Sequence, residues 1–275
     1  MNNIITDVKN LEIETLKNLK NSKSKNTLRA YESDFRDFSL FCSKNGFGSL
    51  PTQPKIIALY LTNLSKSSRF STLKRRIASI SVIHKLKGHY LDTKHPIIME
   101  NLHGIKRTLG SRQSAKKPIL INDLKVIIKA LDEEEIKTKI DKKIKIKEQE
   151  KMRNKALILI GFAGGFRRSE LVDINYDDLE FVNEGVKILI KRSKTDQSGE
   201  GTIKAIPYFD NEFFCPVIAL KEFLKCKDFD KLKSQKIFDL SDKSVALILK
   251  KYASLAGLDS SKYAGHSLRS GFATT

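Results

Sequence analysis

Apolar residues recur at spacings of three and four through most of the first 110 positions, and this pattern constrains the fold more than any other feature. Such spacing places apolar side chains along one face of an α-helix. The pattern predicts four helices, which begin near Asn26, Thr52, Ser71 and Pro96. Thr52 and Ser71 are expected as N-caps, because a hydroxyl oxygen can accept a hydrogen bond from a free main-chain N–H. Four helices within this length predict a compact all-α domain.

A polar and basic segment divides the sequence in two. Residues 111–119 are mostly small, polar or basic and include Pro118, a composition typical of linkers. We therefore place a first domain at residues 21–110 and a second at residues 120–275. Residues 1–20 are expected as a loose amphipathic lead-in.

The second domain combines helical patterns with a small β insert. Three short apolar runs predict strands at 179–182, 186–191 and 203–208. The charged segment 132–151, in which acids and lysines nearly cancel, is expected as a solvated loop or extension. Further helices are expected from Asn122, Asn154, Cys215-Pro216 and Gly265-His266, and over 244–256. The predicted fold class is mainly α: a four-helix N-terminal bundle, followed by an α-rich domain with a small antiparallel three-stranded sheet.

The positive charge is concentrated in one quarter of the chain. The 275 residues carry 51 basic and 32 acidic side chains, a net charge of +19. Residues 51–117 carry 14 basic and 2 acidic groups, a net charge of +12. A surface of this kind attracts polyanions and makes their binding depend on salt. A general preference for lysine explains the lysine-rich stretch 137–151, but not this bias, so we predict nucleic-acid binding.

Other features exclude several classes of protein. No apolar run has the length of a membrane span, and the first residues do not form a signal peptide. Cys42, Cys215 and Cys226 are scattered and lack metal-ligand spacing, as expected in a reducing cytoplasm. The chain also lacks a phosphate-binding Gly-rich loop, and its acids do not cluster at the spacing of a metal site. We expect a cytoplasmic protein with no membrane partner.

Two short segments carry side chains suited to phosphate chemistry. In Gly165-Phe-Arg-Arg-Ser-Glu-Leu171, Arg167 follows a Gly-rich helix end and precedes another helix. In Gly265-His-Ser-Leu-Arg-Ser-Gly271, His266 and Arg269 are three residues apart, and therefore on one helix face. Two arginines that converge on one phosphate can stabilise its transition state. Lys194, in the hairpin between the second and third strands, can protonate a leaving oxygen.

Together and in this order, these motifs resemble the tyrosine recombinase (phage integrase) family. The resemblance covers the chain from about residue 22. Its N-terminal part is similar to the family's SAM-like core-binding domain, and its C-terminal part to the catalytic domain. The supporting segments are Asn26-Thr-Leu-Arg-Ala-Tyr31, Asp34-Phe35, Phe38, Ser71-Thr-Leu73, Ile77, His103-Gly-Ile-Lys-Arg107, Gly164-Gly-Phe-Arg-Arg-Ser-Glu-Leu171, Arg192-Ser-Lys-Thr-Asp-Gln197, Cys215-Pro216 and Gly265-His-Ser-Leu-Arg-Ser-Gly-Phe-Ala-Thr274.

The resemblance implies a role for each matching residue. Arg167 is the first catalytic arginine, Glu170 supports the pocket, and Lys194 is the general acid toward the 5′-oxygen. His266 and Arg269 form the HxxR pair. A tyrosine attacks a DNA phosphodiester and leaves a 3′-phosphotyrosyl link, so no cofactor, ATP or metal is needed. The implied partner is double-stranded DNA, with self-association of the complete protein into dimers or tetramers on it, and the implied location is the bacterial nucleoid. The DNA-binding candidates are Lys74, Arg75, Arg76, Lys85, Lys106, Arg107 and Arg112.

The family's nucleophilic tyrosine, which follows the HxxR pair, has no counterpart among these residues. Tyr252 and Tyr263 precede His266, and the other five tyrosines come earlier. The expectation is therefore a C-terminally incomplete catalytic domain that binds DNA without cleaving it in cis. One hypothesis is a recombinase or integrase, and the alternative is a non-catalytic DNA-binding remnant or regulator on the same scaffold. An unrelated RNA-binding protein is disfavoured, because the sequence has no aromatic stacking platform.

Overall fold

A computed structural model of the chain describes residues 2–21, 23–110, 116–135, 141–191, 201–227 and 235–274. The chain divides into two compact units, Met1–Gln113 and Ser114–Thr275. Each unit has its own cluster of buried apolar side chains. The fold is mainly helical with one three-stranded antiparallel sheet, so the predicted fold class is confirmed. Over the ranges given above, none of the helices has the length and apolar character needed to cross a membrane.

Unit 1 is helical throughout its described secondary structure. Its helices are α1 (Asn2–Asn21), α2 (Lys25–Lys44), α3 (Pro54–Ser65), α4 (Phe70–Leu86) and α5 (Pro96–Leu109). The inward residues of α2 to α5 lie on the faces that the spacing predicts, and the core includes Phe38, Ile57, Leu61, Leu73, Ile80 and Ile98. Leu86 is an exception: it is expected to point inward, but it lies at the end of α4 and is 55% exposed.

Three local expectations for unit 1 are wrong. Residues 2–21 form the continuous helix α1 rather than a loose lead-in. Gln53, not Thr52, is the N-cap of α3, and the main-chain N–H of Thr52 donates to His84 Nε2 of α4. Ser71 is inside α4, whose N-cap is Arg69. In both cases the helix begins at a residue whose side chain makes no capping hydrogen bond.

Unit 2 surrounds a larger core with helices and one sheet. Its elements are α6 (Ile121–Asp132), α7 (Asp141–Ala163), α8 (Arg168–Val172), β1 (Leu179–Val182), β2 (Gly185–Ile190), β3 (Thr202–Pro207), α9 (Pro216–Lys225), α10 (Asp242–Leu255) and α11 (Ser267–Phe272). The strand order is β1-β2-β3, and both pairs are antiparallel. The strands therefore lie within one residue of their predicted positions.

The largest difference from expectation is α7. The lysine-rich residues from 141 onward, predicted as a loop or extension, form the first half of this helix, and Asn154 lies within it rather than at its start. Lysine, glutamate and glutamine are good helix formers, and residues 156–160 supply a buried half that fixes the helix. Asn122 is likewise inside α6, whose N-cap is Leu120. Both helices begin earlier than their polar signals indicate.

Candidate functional site

The turn between α7 and α8 places Arg167. The chain leaves α7 at Ala163, passes through Gly164 and Gly165, and re-enters a helix immediately after Arg167. Gly165 has a φ of +56°, which is the left-handed region that glycine adopts without steric cost. Because the next residue, Phe166, is buried, the turn is anchored in the core. Arg167 is consequently held at the N-terminus of α8 with its side chain 25% exposed.

Glu170 binds Arg167 through both of its carboxylate oxygens. Its Oε2 accepts the main-chain N–H of Arg167 at 2.9 Å, and its Oε1 accepts Nη1 of the same residue at 2.5 Å. The side chain of Glu170 is 4% exposed. Burial acts to raise the pKa of this carboxyl, but the hydrogen bonds from Arg167 outweigh it and hold the pKa below its usual range. Glu170 is therefore a buried anion that orients Arg167.

Arg269 reaches the same carboxylate from α11. Its Nη1 donates to the carbonyl of Gly165 at 3.0 Å and lies 3.9 Å from Glu170 Oε2. The structure thus brings together Arg167, Glu170 and Arg269, although Arg269 is 102 positions from Arg167. His266 is the N-cap of α11 and is exposed. It immediately precedes the helix that carries Arg269.

Lys204 is a neighbour of this pocket that sequence reasoning missed. It lies on β3, and its Nζ donates to the carbonyl of Gly164 and lies 3.4 Å from the carbonyl of Gly165. Its ammonium group also sits 4.6 Å from the ring centroid of Phe166. One signal was present in the sequence: Lys204 alternates with Ile206, which the strand pattern turns toward the core.

Two predicted site residues, Lys194 and Arg112, lie outside the described residues. The five other DNA-binding candidates that are exposed all belong to unit 1. Lys74 and Arg75 are near the start of α4, Lys85 is near its end, and Lys106 and Arg107 are in the last turn of α5. Lys74 and Lys85 are eleven residues apart, which places them on the same face of α4.

Arg76 differs from the other described basic candidates because its side chain is largely buried, and its charge is paired inside unit 1. Its side chain is 16% exposed and its Nη1 lies 3.2 Å from Asp34 Oδ1 and 3.5 Å from Asp37 Oδ2. Asp34 is itself buried, and it also accepts from Ser79 Oγ at 2.7 Å and pairs with Arg75. These contacts tie α2 to α4. Arg76 therefore orients the helix that carries the exposed basic residues.

Tyr252 and Tyr263 are both buried, with 1% and 2% of their surface exposed. Tyr252 Oη donates to Glu134 at 2.9 Å and accepts from Asn154 at 3.3 Å. Tyr263 Oη donates to Asp123 at 3.1 Å. Burial, the largest influence, raises the pKa of both phenols. Both tyrosines are therefore packed in the core of unit 2, with their hydroxyls hydrogen-bonded to neighbouring side chains.

The pocket carries more positive charge than its one carboxylate neutralises. Two guanidinium groups and the Lys204 ammonium lie around Glu170, which leaves a net local charge of about +2. Arginines in this arrangement can donate to the non-bridging oxygens of a phosphate. Among the residues that the structure describes, no group of three or more His, Cys, Asp or Glu side chains could hold a metal ion.

Comparison with known proteins identifies the family. The sequence model of the phage integrase family matches residues 129–275. The integrase/recombinase xerD homolog of Selenomonas ruminantium is 39% identical over 277 residues, which cover 96% of this chain and 77% of that protein.

Two solved structures share the fold. One is the XerH site-specific recombinase in a post-cleavage complex with a palindromic difH substrate (TM-score 0.65, 20% identity, 90% of this chain and 67% of that one). The other is a lambda integrase dimer bound to a COC′ core site (TM-score 0.52, 16% identity, 92% of this chain and 82% of that one). With the family match and the 39% identical relative, these findings show that the chain belongs to the phage integrase family of tyrosine-type site-specific recombinases.

Proposed function

We propose that this chain recognises double-stranded DNA and that its Arg167–Glu170–Arg269 pocket binds the phosphate at which strand exchange takes place. The observation that carries the proposal is the sharing of one buried carboxylate by two arginines from distant parts of the sequence. An ordinary surface ion pair joins one cation to one exposed carboxylate, whereas here two arginines meet at a carboxylate that is buried. Glu170 accepts from Arg167 and the carbonyl of Gly165 accepts from Arg269, so both guanidinium groups are oriented before the phosphate arrives and little ordering remains to be done on binding.

The chemistry follows from where charge develops. In the proposed reaction, a phenol oxygen attacks the phosphorus, and the non-bridging oxygens gain negative charge as the bond to the 5′-oxygen breaks. Arg167 and Arg269 stabilise that charge, and removal of one such donor typically lowers a rate by about a hundredfold to a thousandfold. His266, next to Arg269, is proposed as a further donor to the phosphate, and Lys194 as the group that protonates the leaving 5′-oxygen.

We assign none of the seven tyrosines as the nucleophile. All seven lie among the described residues. Tyr252 and Tyr263 are the two that come nearest to His266 in sequence, and their hydroxyls are bonded to buried or half-buried carboxylates. We propose that a polypeptide of these 275 residues binds DNA without forming a covalent link.

The test is phosphate interference on a selected DNA site. Selection from a random duplex library yields a preferred sequence, whose phosphates are then ethylated one at a time and assayed for loss of binding. Arg167→Ala and Arg269→Ala are each expected to weaken binding about tenfold to a hundredfold, the worth of a charge-assisted hydrogen bond. Both variants should also lose interference at the same phosphate, because the group that senses its charge has been removed.

Arg153→Ala is the matched control, since the guanidinium of Arg153 bonds only to the neighbouring Asn154 among the contacts seen. It should keep the wild-type pattern. A pattern in Arg167→Ala and Arg269→Ala identical to that of the wild type would contradict the proposal. Incubation of the 275-residue chain with a nicked duplex of the selected sequence separately tests the nucleophile, because a covalent adduct would show that one of the seven tyrosines attacks.

A further inference from the structure

Lys204 occupies a position where the sheet has apolar neighbours. In the β2–β3 register it is paired with Ile188, which is fully buried, and it alternates with the buried Ile206. Ile203, on the opposite face of the same strand, is 63% exposed. The strand therefore turns a lysine toward the core and an isoleucine toward solvent, the reverse of what burial alone favours.

The contacts of Lys204 explain where its charge goes. The last carbonyls of a helix have no partner within the helix and carry partial negative charge. Just past the end of α7, the carbonyl of Gly164 accepts a hydrogen bond from Lys204 Nζ. The same Nζ lies 3.4 Å from the carbonyl oxygen of Gly165. The Gly165 carbonyl also accepts Arg269 Nη1 at 3.0 Å. Lys204 and Arg269 thus hold the same turn from two sides, and Arg167 is two residues further along.

The electrostatic setting is unfavourable for a third cation. Burial lowers the pKa of Lys204, the negative charge of Glu170 acts in the opposite direction, and Arg269 and Arg167 lower it further. The ammonium group nevertheless has carbonyl oxygens and the face of Phe166 around it. An anion bound by the two arginines would offset the repulsion among the three cations.

We infer that Lys204 is a positioning residue, which holds the Gly164–Gly165 turn so that Arg167 and Arg269 face one phosphate together. The inference rests on the proposed function of the arginine pocket. Lys204 acts through the turn and through Arg269, and it is not assigned a contact with the DNA. It links the sheet to both arginines, so a change at this one side chain is transmitted to the whole pocket.

The test uses the full chain, the selected duplex and the ethylation series described above. Lys204→Met keeps the aliphatic stem over Phe166 but removes the donor. We expect its affinity to fall about tenfold, comparable to the loss of one charge-assisted bond, and its interference to disappear at the phosphate that Arg167→Ala also loses. In the double variant Arg167→Ala/Lys204→Met, the two losses should not add, because both act on one contact.

Three further variants separate positioning from general stability. Lys204→Arg restores donors for both carbonyls and should return the wild-type pattern. Lys204→Gln retains an uncharged NH2 donor group on a shorter side chain and should give an intermediate loss, which keeps the test usable if Lys204→Met does not fold. Lys187→Met on β2 is the matched control, because Lys187 is 43% exposed and pairs with Glu180; it should change nothing. Thermal unfolding of each variant verifies that the fold is retained.

The outcomes distinguish this inference from the proposed function. A wild-type interference pattern in folded Lys204→Met or Lys204→Gln, beside an altered pattern in Arg167→Ala, would overturn the role of Lys204 and leave the arginine pocket intact. Failure of Lys204→Arg to restore the pattern would also count against positioning through the two carbonyls. An unaltered pattern in Arg167→Ala would overturn the proposed function and, with it, this inference.

Discussion

Gly165 is the residue on which the geometry of the arginine pocket most directly depends. Its carbonyl accepts from Arg269 and lies close to Lys204, and its φ of +56° turns the chain toward Arg167. A Cβ atom at this position would lie 2.6 Å from Phe272 Cδ1, closer than van der Waals contact allows. Two separate constraints, backbone conformation and space, therefore require glycine at this point.

Gly165→Ala is expected to destabilise unit 2 and weaken the binding of the selected duplex. The left-handed conformation costs a non-glycine residue about 1–2 kcal/mol, and forcing a methyl group against Phe272 adds about 1–3 kcal/mol. Gly257→Ala is the control, since Gly257 has a similar φ of +73° but nothing within 4 Å of its Cβ position. Urea unfolding measures the difference. Equal losses of unfolding free energy in the two variants would show that the Phe272 ring moves aside at little cost, and would contradict the expected difference.

At the scale of single residues, the sequence predicted the arginines better than their supports. Arg167, Glu170 and Arg269 stand in recognisable motifs, and the structure places them together. Lys204 has no motif, because its role depends on strand register and on carbonyls 39 and 40 positions earlier. Arg76 was predicted to contact DNA from its position in a basic run. Only the structure shows that the buried Asp34 and the neighbouring Asp37 pair with it.

At the scale of elements, helix existence was predictable and several helix starts were not. The periodic apolar residues of α2 to α5 identify those helices, since burial on one face is a property of the local sequence. Thr52 has a capping side chain, yet its main-chain N–H is bonded to His84, 32 positions later. The start of α7 was missed because its first half is mostly charged and exposed, and it continues a helix that is buried further along the chain.

His84 makes the contact between the start of α3 and the last turn of α4 sensitive to pH. The ring is fully buried, Nε2 accepts from Thr52 N–H at 3.2 Å, and Nδ1 lies 2.8 Å from the carbonyl of Ile80, to which it donates. Both contacts are satisfied by the neutral ring. Burial lowers the pKa of His84; the bond to Ile80 opposes this effect, and His89 adds to it. Protonation would place a hydrogen on Nε2, directly opposite the Thr52 N–H.

We therefore expect unit 1 to lose stability as the pH falls below about 6.5, the pKa of histidine in an unfolded chain. Below that pH the unfolded chain binds a proton that the folded chain does not, so the free energy of unfolding decreases by at most about 1.4 kcal/mol per pH unit. The loss continues until the pH reaches the lowered pKa of folded His84. Urea unfolding between about pH 5 and about pH 8 measures this dependence.

His84→Gln should flatten this pH dependence while lowering stability at neutral pH, because the buried bonds to Thr52 and Ile80 are disturbed. His89→Gln is the control: it removes a neighbouring histidine and should leave most of the dependence in place. Retention of the full pH dependence in His84→Gln would assign it to another titrating group.

At the scale of the whole molecule, charge and chemistry are divided between the two units. The exposed basic residues predicted to contact DNA belong to unit 1, and the arginine pocket belongs to unit 2. Composition reveals a net charge of +19. It does not reveal which lysines are exposed to solvent and which, such as Lys204, donate to main-chain carbonyls within a unit. The sequence predicted this division from the position of its basic residues, while the structure was needed to separate exposed charges from paired ones.

The location of charge, rather than its total, is expected to determine the salt dependence of DNA binding. A triple variant, Lys85→Gln/Lys106→Gln/Arg107→Gln, removes exposed charges of unit 1; another, Lys143→Gln/Lys145→Gln/Lys147→Gln, removes exposed charges from α7. Both lower the net charge by three. Each lost phosphate contact reduces the slope of log K against log salt by about 0.9, so the unit 1 variant should lose up to about 2.7 and the α7 variant much less. Binding of the selected duplex across a salt series measures both slopes, and equal reductions would show that net charge alone drives association.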